Sequence, residues 1–179
     1  MLDRQHTILV VVDVQGKLAQ LMHEKKALFG NVKAIIRGIR ALDVPILWAE
    51  QNPQGLGPTV PEVAGELAGL EPIAKVSFSC WQNEAFAKAL KAAGRRQVLI
   101  AGIETHICVY QTAMDLTAAG YQVEIVADAV SSRKPENKAL ALQKLQDAGA
   151  KITSVEMALF ELLKVAEGEP FREILRLVK

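Results

Sequence analysis

The stretch TILVVVDV, residues 7–14, is almost unbroken in its apolar character until Asp13. A strand with one wet face alternates apolar and polar residues. A continuous run suits a strand covered on both faces, as in a parallel sheet sandwiched between helices. The remainder of the chain agrees with that demand. Residues 31–43 (NVKAIIRGIRALD) place Val32, Ile35, Ile36, Ile39 and Leu42 at helical spacing. Strands are predicted at 44–50, 72–77, 97–103, 121–128 and 151–155, and helices at 83–94, 106–120 and 135–149. Two short helical segments close the chain around EGEP, and residues 51–62 form the longest irregular stretch. Alternation of this kind means a three-layer α/β/α fold around a parallel, Rossmann-like sheet. No repeat or low-complexity linker interrupts it, so residues 1–179 are expected to form one domain.

Composition removes several function classes. The chain carries 21 basic and 20 acidic residues, a net charge of +1, with no local block of Lys or Arg. Nothing there favours a nucleic acid or another polyanion as partner. No apolar run approaches a bilayer span, and the start MLDRQHTILVVVDVQ reads directly into a strand without the pattern of a secretory signal. Two cysteines make no disulfide framework. A reducing compartment follows, with the cytoplasm as the simplest expectation.

In folds of this class the carboxyl ends of the strands carry the chemistry. Asp13 ends the first strand, Lys75 interrupts the apolar segment PIAKVSFS, and Cys108 follows QVLIAGI where strand gives way to helix. A cysteine in the first turn of a helix is expected to have its thiolate favoured by the helix dipole and by unpaired N–H groups. Those same N–H groups can hold an oxyanion. The plain alternative is that Cys108 only packs. His106 is poorly placed to be its base, because residues two apart on a helix point roughly 200° from each other. Asp13 reads either as an N-cap for a helix near Gly16 or as a general base paired with a cation, for which Lys75 is the candidate.

These segments resemble the isochorismatase-like cysteine hydrolases: ILVVVDVQGKL around Asp13, AKVSFSCW around Lys75 and VLIAGIETHICVYQTAMDL around Cys108. VEIVADAVSSR is also similar, and WAEQNPQGLGPTVPE resembles the isochorismatase domain-containing subgroup. The resemblance implies a six-stranded parallel sheet in the order 3-2-1-4-5-6. It implies a catalytic set of Asp13, Lys75 and Cys108, and a cis peptide between Ile103 and Glu104. The backbone N–H groups of Glu104 and Cys108 would form the oxyanion hole. The implied reaction is hydrolysis of a C–N bond in a small amide-like substrate through a thioester on Cys108.

Departures from relatives narrow this further. The nicotinamidase branch carries an Asp-x-His metal motif after strand two, whereas AEQNPQG has no His, and Glu50 alone makes a poor cation site. No metal and no cofactor are therefore expected. Isochorismate hydrolases proper cleave a vinyl ether without needing the cysteine, so Cys108 favours acyl chemistry. The vinyl ether reaction stays as one alternative, and a non-catalytic scaffold that retains the fold as another. A nucleotide-binding role fails for want of a Gly-x-Gly-x-x-Gly or P-loop after the first strand. Phe78, Trp81 and Ile107 are candidate substrate-binding walls, with core packing as their alternative. Arg133 is either an anion anchor or structural. Apolar residues on several faces of the 106–119 helix, together with the resemblance, lead to the expectation of a homo-oligomer.

Overall fold

The computed structural model describes residues 1–179. Its elements in chain order are β1 (Thr7–Val12), α1 (Gly16–Gln20), α2 (Lys25–Ala41), β2 (Ile46–Gln51), α3 (Pro53–Leu56), α4 (Pro61–Ala64) and β3 (Ile73–Lys75). The second half runs α5 (Glu84–Ala92), β4 (Gln97–Ile103), α6 (Tyr110–Ala118), β5 (Gln122–Ser131), α7 (Pro135–Asp147), β6 (Lys151–Thr153), α8 (Val155–Leu163) and α9 (Gly168–Leu177). The strands form one sheet in the order β3-β2-β1-β4-β5-β6, with every pairing parallel.

All six residues of β1 are buried, as the unbroken run requires. Successive side chains point to opposite faces, so Leu9 and Val11 join one apolar layer with α2, α8 and α9. Ile8, Val10 and Val12 join the other layer, with α5, α6 and α7. The three-layer sandwich therefore follows from the alternation of one strand between two cores.

Details at the sheet ends differ from simple periodicity. The helix expected from 106 begins instead as a π-helical turn, Thr105–Val109, and becomes α-helical at Tyr110. The irregular stretch after β2 holds two short helices, α3 and α4, each opened by a proline at its first position. β5 extends to Ser131, three residues beyond the expected limit. Helix α6 buries Thr112, Ala113 and Leu116, while Tyr110 and Met114 stay half-buried.

Two backbone features fix the carboxyl end of the sheet. Gly102 sits at φ 119°, and a Cβ there would meet the Val12 carbonyl oxygen at 2.0 Å, so the backbones of β1 and β4 close together where the site lies. The next peptide, Ile103–Glu104, is cis, as the resemblance implied.

Candidate active site

Asp13 follows β1 in a left-handed backbone conformation, φ 52°, which asparagine and aspartate tolerate better than most residues. It does not cap α1; Gln15 occupies that position. The Asp13 carboxyl is 2% exposed, and its Oδ2 accepts a 2.7 Å hydrogen bond from Lys75 Nζ. Lys75, at the end of β3, also donates to Gln51 Oε1 at 2.7 Å and to the carbonyls of Ser77 and Phe78 at 3.2 and 3.1 Å. Four acceptors surround an ammonium with three hydrogens, so the cation is held fully engaged.

The other Asp13 oxygen, Oδ1, is buried without a well-formed hydrogen bond. The Cys108 thiol lies beside this carboxyl, near enough that the two groups shift each other's titration. Burial raises the Asp13 pKa above the ordinary carboxylate value, and the Lys75 charge opposes that rise. Burial likewise raises the Cys108 thiol well above the ordinary range, and the Asp13 charge raises it further. This corrects the expectation from helix position. Burial of the sulfur and the neighbouring carboxylate oppose the ionisation that the helix start and Lys75 favour. Cys80, fully buried, is pushed up to about 12, chiefly by burial.

Asp13 and Cys108 share a cavity of about 100 Å³ with Leu18, Gln51, Leu56, Phe78, Ile103, Glu104 and Ile107. Of the three candidate walls, Phe78 and Ile107 line this cavity. Trp81 does not. It packs edge-on against Tyr121, ring centroids 5.5 Å apart, and lines a separate depression with Lys91 and Arg96. The bend after Ser79 carries it away from the sheet end, onto the side of the layer formed by α5 and α6.

Glu104 lines the cavity while its buried carboxylate accepts from Arg133, from Nε at 3.2 and 3.1 Å and from the backbone N–H at 2.9 Å. Arg133 is therefore occupied in holding the β4 and β5 ends together. The Glu104 carbonyl accepts from the N–H groups of Ile107 and Val109, passing over the Cys108 N–H between them. An α-helix would have spent that N–H on the same carbonyl. His106 pairs with Ser132 Oγ at 2.9 Å through Nδ1, away from the thiol.

Sequence reasoning missed two amides. Gln51 bridges the site by accepting from Lys75 and donating to the Val76 carbonyl at 2.6 Å. Gln15, fully buried, donates to the carbonyls of Gln51 and Gly57 and accepts from the Gln51 N–H. Their signal was a polar residue ending each of two apolar runs, DVQ and AEQ. Glu50, the one carboxylate available for a cation after β2, has its Oε1 taken by the Thr59 N–H and hydroxyl, both at 2.7 Å.

Comparison with known proteins identifies the family and the fold. The isochorismatase domain model matches residues 7–157. Isochorismatase domain-containing protein 2 of Danio rerio is 36% identical over 178 residues, covering 99% of this chain and 89% of that protein. The MAR1 ribonuclease structure from Caenorhabditis elegans superposes with a TM-score of 0.92 at 32% identity, covering 99% of this chain and 91% of that one. The YcaC structure from Escherichia coli, an octameric hydrolase of unknown specificity, gives a TM-score of 0.92 at 27% identity, covering 98% and 88%. With the family model spanning most of the chain and the sheet order in place, this protein belongs to the isochorismatase family of hydrolases.

Proposed function

We propose that the protein is a cysteine hydrolase that cleaves the C–N bond of a small amide-like substrate, with Asp13, Lys75 and Cys108 as its catalytic residues. The observation that carries this reading is Asp13 Oδ1, a buried carboxylate oxygen left without a well-formed hydrogen bond beside the Cys108 thiol. Its partner oxygen is fixed by Lys75. A base so placed has an oxygen free to accept a proton.

The steps balance on these groups. Asp13 takes the thiol proton as Cys108 Sγ bonds to the substrate carbonyl carbon. Proton transfer to the carboxylate moves the negative charge onto sulfur, which the Lys75 charge favours, and C–S bond formation passes it on to the carbonyl oxygen. The carbonyl oxygen becomes an oxyanion held by the N–H groups of Glu104 and Cys108. The tetrahedral adduct collapses as Asp13 returns the proton to the leaving nitrogen. Water then attacks the thioester carbon, Asp13 accepts its proton, and the departing sulfur recovers that proton as the acid is released. No metal or cofactor enters this scheme, and the Glu50 oxygen best placed for a cation is already engaged by Thr59.

Support for an assembly of identical subunits comes from the octameric YcaC relative and from the half-exposed Tyr110 and Met114 of α6. A small-molecule substrate fits the size of the cavity better than RNA does, and no lining residue is an unengaged cation. No helix is long and apolar enough to cross a membrane.

The test is a panel of small amides, ureas and hydroxamates, with vinyl ethers and short RNA alongside, read by mass detection with and without a chelator. Turnover of an amide that is lost in Cys108→Ala and unaffected by the chelator is the expected result. Cleavage confined to the vinyl ether or RNA, or no turnover at all in a broad panel, would overturn it. The last outcome would favour a scaffold.

A further inference from the structure

The cavity selects on charge as well as on size. Its only charged lining residues are Asp13 and Glu104, both acids. Each acid has a cation beside it, and neither cation lines the cavity. Lys75 has no exposed side-chain surface and is ringed by Asp13, Gln51 and two backbone carbonyls. Arg133 directs its Nε to the Glu104 carboxylate and does not line the cavity. The remaining wall is aliphatic and aromatic: Leu18, Leu56, Phe78, Ile103 and Ile107. Leu56 and Phe78 are 37% and 55% exposed, so the apolar surface continues outward from the cavity.

An anion entering this space would give up its hydration for apolar walls and two carboxylates, with no cation among the lining residues to receive it. An alkyl group would gain by leaving water for the same walls. At about 100 Å³ the enclosed part is smaller than the roughly 300–1,000 Å³ that drug-sized ligands occupy. It admits an amide and a few carbons, and anything longer must lie along Leu56 and Phe78.

From these relationships we infer that the site takes small uncharged amides bearing an apolar substituent and rejects carboxylate-bearing ones, with Leu56 and Phe78 as specificity-determining residues. This inference rests on the proposed hydrolase reading for its reaction, but charge selection can be measured without turnover.

The measurement compares iodoacetamide with iodoacetate on the native protein, following Cys108 by peptide mass mapping. Each rate is divided by that of the same reagent with free glutathione. The normalised preference for iodoacetamide should be at least about tenfold. Phe78→Arg, a change at an exposed position that leaves the core untouched, should cut that preference at least about threefold by speeding iodoacetate. A preference near one in the wild type overturns the inference, as does an unchanged preference in Phe78→Arg. Failure of both reagents to reach Cys108 overturns the open site on which the inference and the hydrolase reading both depend. Selective labelling without turnover of any amide keeps the charge selection and overturns the hydrolase reading alone.

Discussion

Gln51 Oε1 lies 2.7 Å from Lys75 Nζ, the same distance at which the ammonium meets Asp13 Oδ2. A neutral amide thus shares the cation with the carboxylate and limits how far Lys75 can swing towards either. Gln51→Leu should leave the ammonium short of one acceptor and cost about 1.5–3 kcal/mol, the usual worth of a hydrogen bond to a charged group. Lys75→Met should cost about 3–5 kcal/mol, because it strands the buried Asp13 charge. Urea denaturation at neutral pH checks both, with Gln51→Leu expected to be the milder change. Equal losses would show that the amide contact matters as much as the ion pair.

The two cysteines supply an internal control. Cys108 opens to the cavity and Cys80 is fully buried, with its thiol held near 12 by burial. Mild iodoacetamide treatment of the native protein should label Cys108 at least about tenfold faster than Cys80. Because burial and Asp13 hold the Cys108 proton in place, its labelling should keep rising with pH past the ordinary thiol value of about 8.5. A plateau at or below neutral pH would mean a resting thiolate.

As the proposed base, Asp13 should set the acid side of the activity. Its pKa is raised by burial, so it becomes protonated, and useless as a base, at a pH above the ordinary carboxylate value of about 3.9. The sign for stability is opposite. A carboxyl whose folded pKa is raised contributes stability that is present below its unfolded value and lost as pH rises through the folded one. Acidification should therefore abolish kcat/KM through Asp13 while the same protonation adds to the stability of the fold. A pH–rate profile beside a urea melt at each pH separates the two, and activity lost only together with the fold would contradict the assignment of Asp13 as base.

The alternation of β and α was legible because it depends on apolar periodicity, which burial on both faces of β1 and the cores beneath α2 and α5 enforce. Asp13, Lys75 and Cys108 were legible because each breaks or ends an apolar run. What escaped were relationships that no spacing encodes. Trp81 and Phe78 are three residues apart in one aromatic-bearing segment, yet only Phe78 meets the cavity, since the turn between them sets direction. Gln51 looked like the start of a loop because its value lies in Lys75, 24 residues later. The Cys108 thiol was misjudged because desolvation is a property of the packed site, whereas helix position can be read locally.

Thr59 holds the segment after β2 by donating to Glu50 from both its N–H and its hydroxyl, while accepting from Trp48 Nε1 at 2.9 Å. Thr59→Val keeps the shape and removes the oxygen. It leaves the buried indole N–H unpaired and takes one donor from Glu50, for an expected loss of about 2–4 kcal/mol. Thr59→Ser should restore most of it. If Thr59→Ser melts below Thr59→Val, the methyl group and not the hydroxyl anchors the segment.

Sedimentation at micromolar concentration should show a closed assembly of identical subunits, with Tyr110 and Met114 protected from oxidation and exchange within it. A species of single-chain mass alone would remove the assembly and leave α6 with its half-exposed face open to solvent.

The close approach of Gly102 to the Val12 carbonyl has a consequence for how such a protein can change. Any side chain at 102 would drive β1 and β4 apart, and with them the carboxylate and the sulfur that follow those strands. The distance on which the proposed proton transfer depends is thus set in main chain, where point substitution has little purchase. Leu56 and Phe78 lie outside the two strands, on segments that reach the cavity from the β2 and β3 side. Preference for a substrate can therefore drift by exchange of these exposed side chains while the reacting pair stays in register. One frame can in this way serve a succession of substrates.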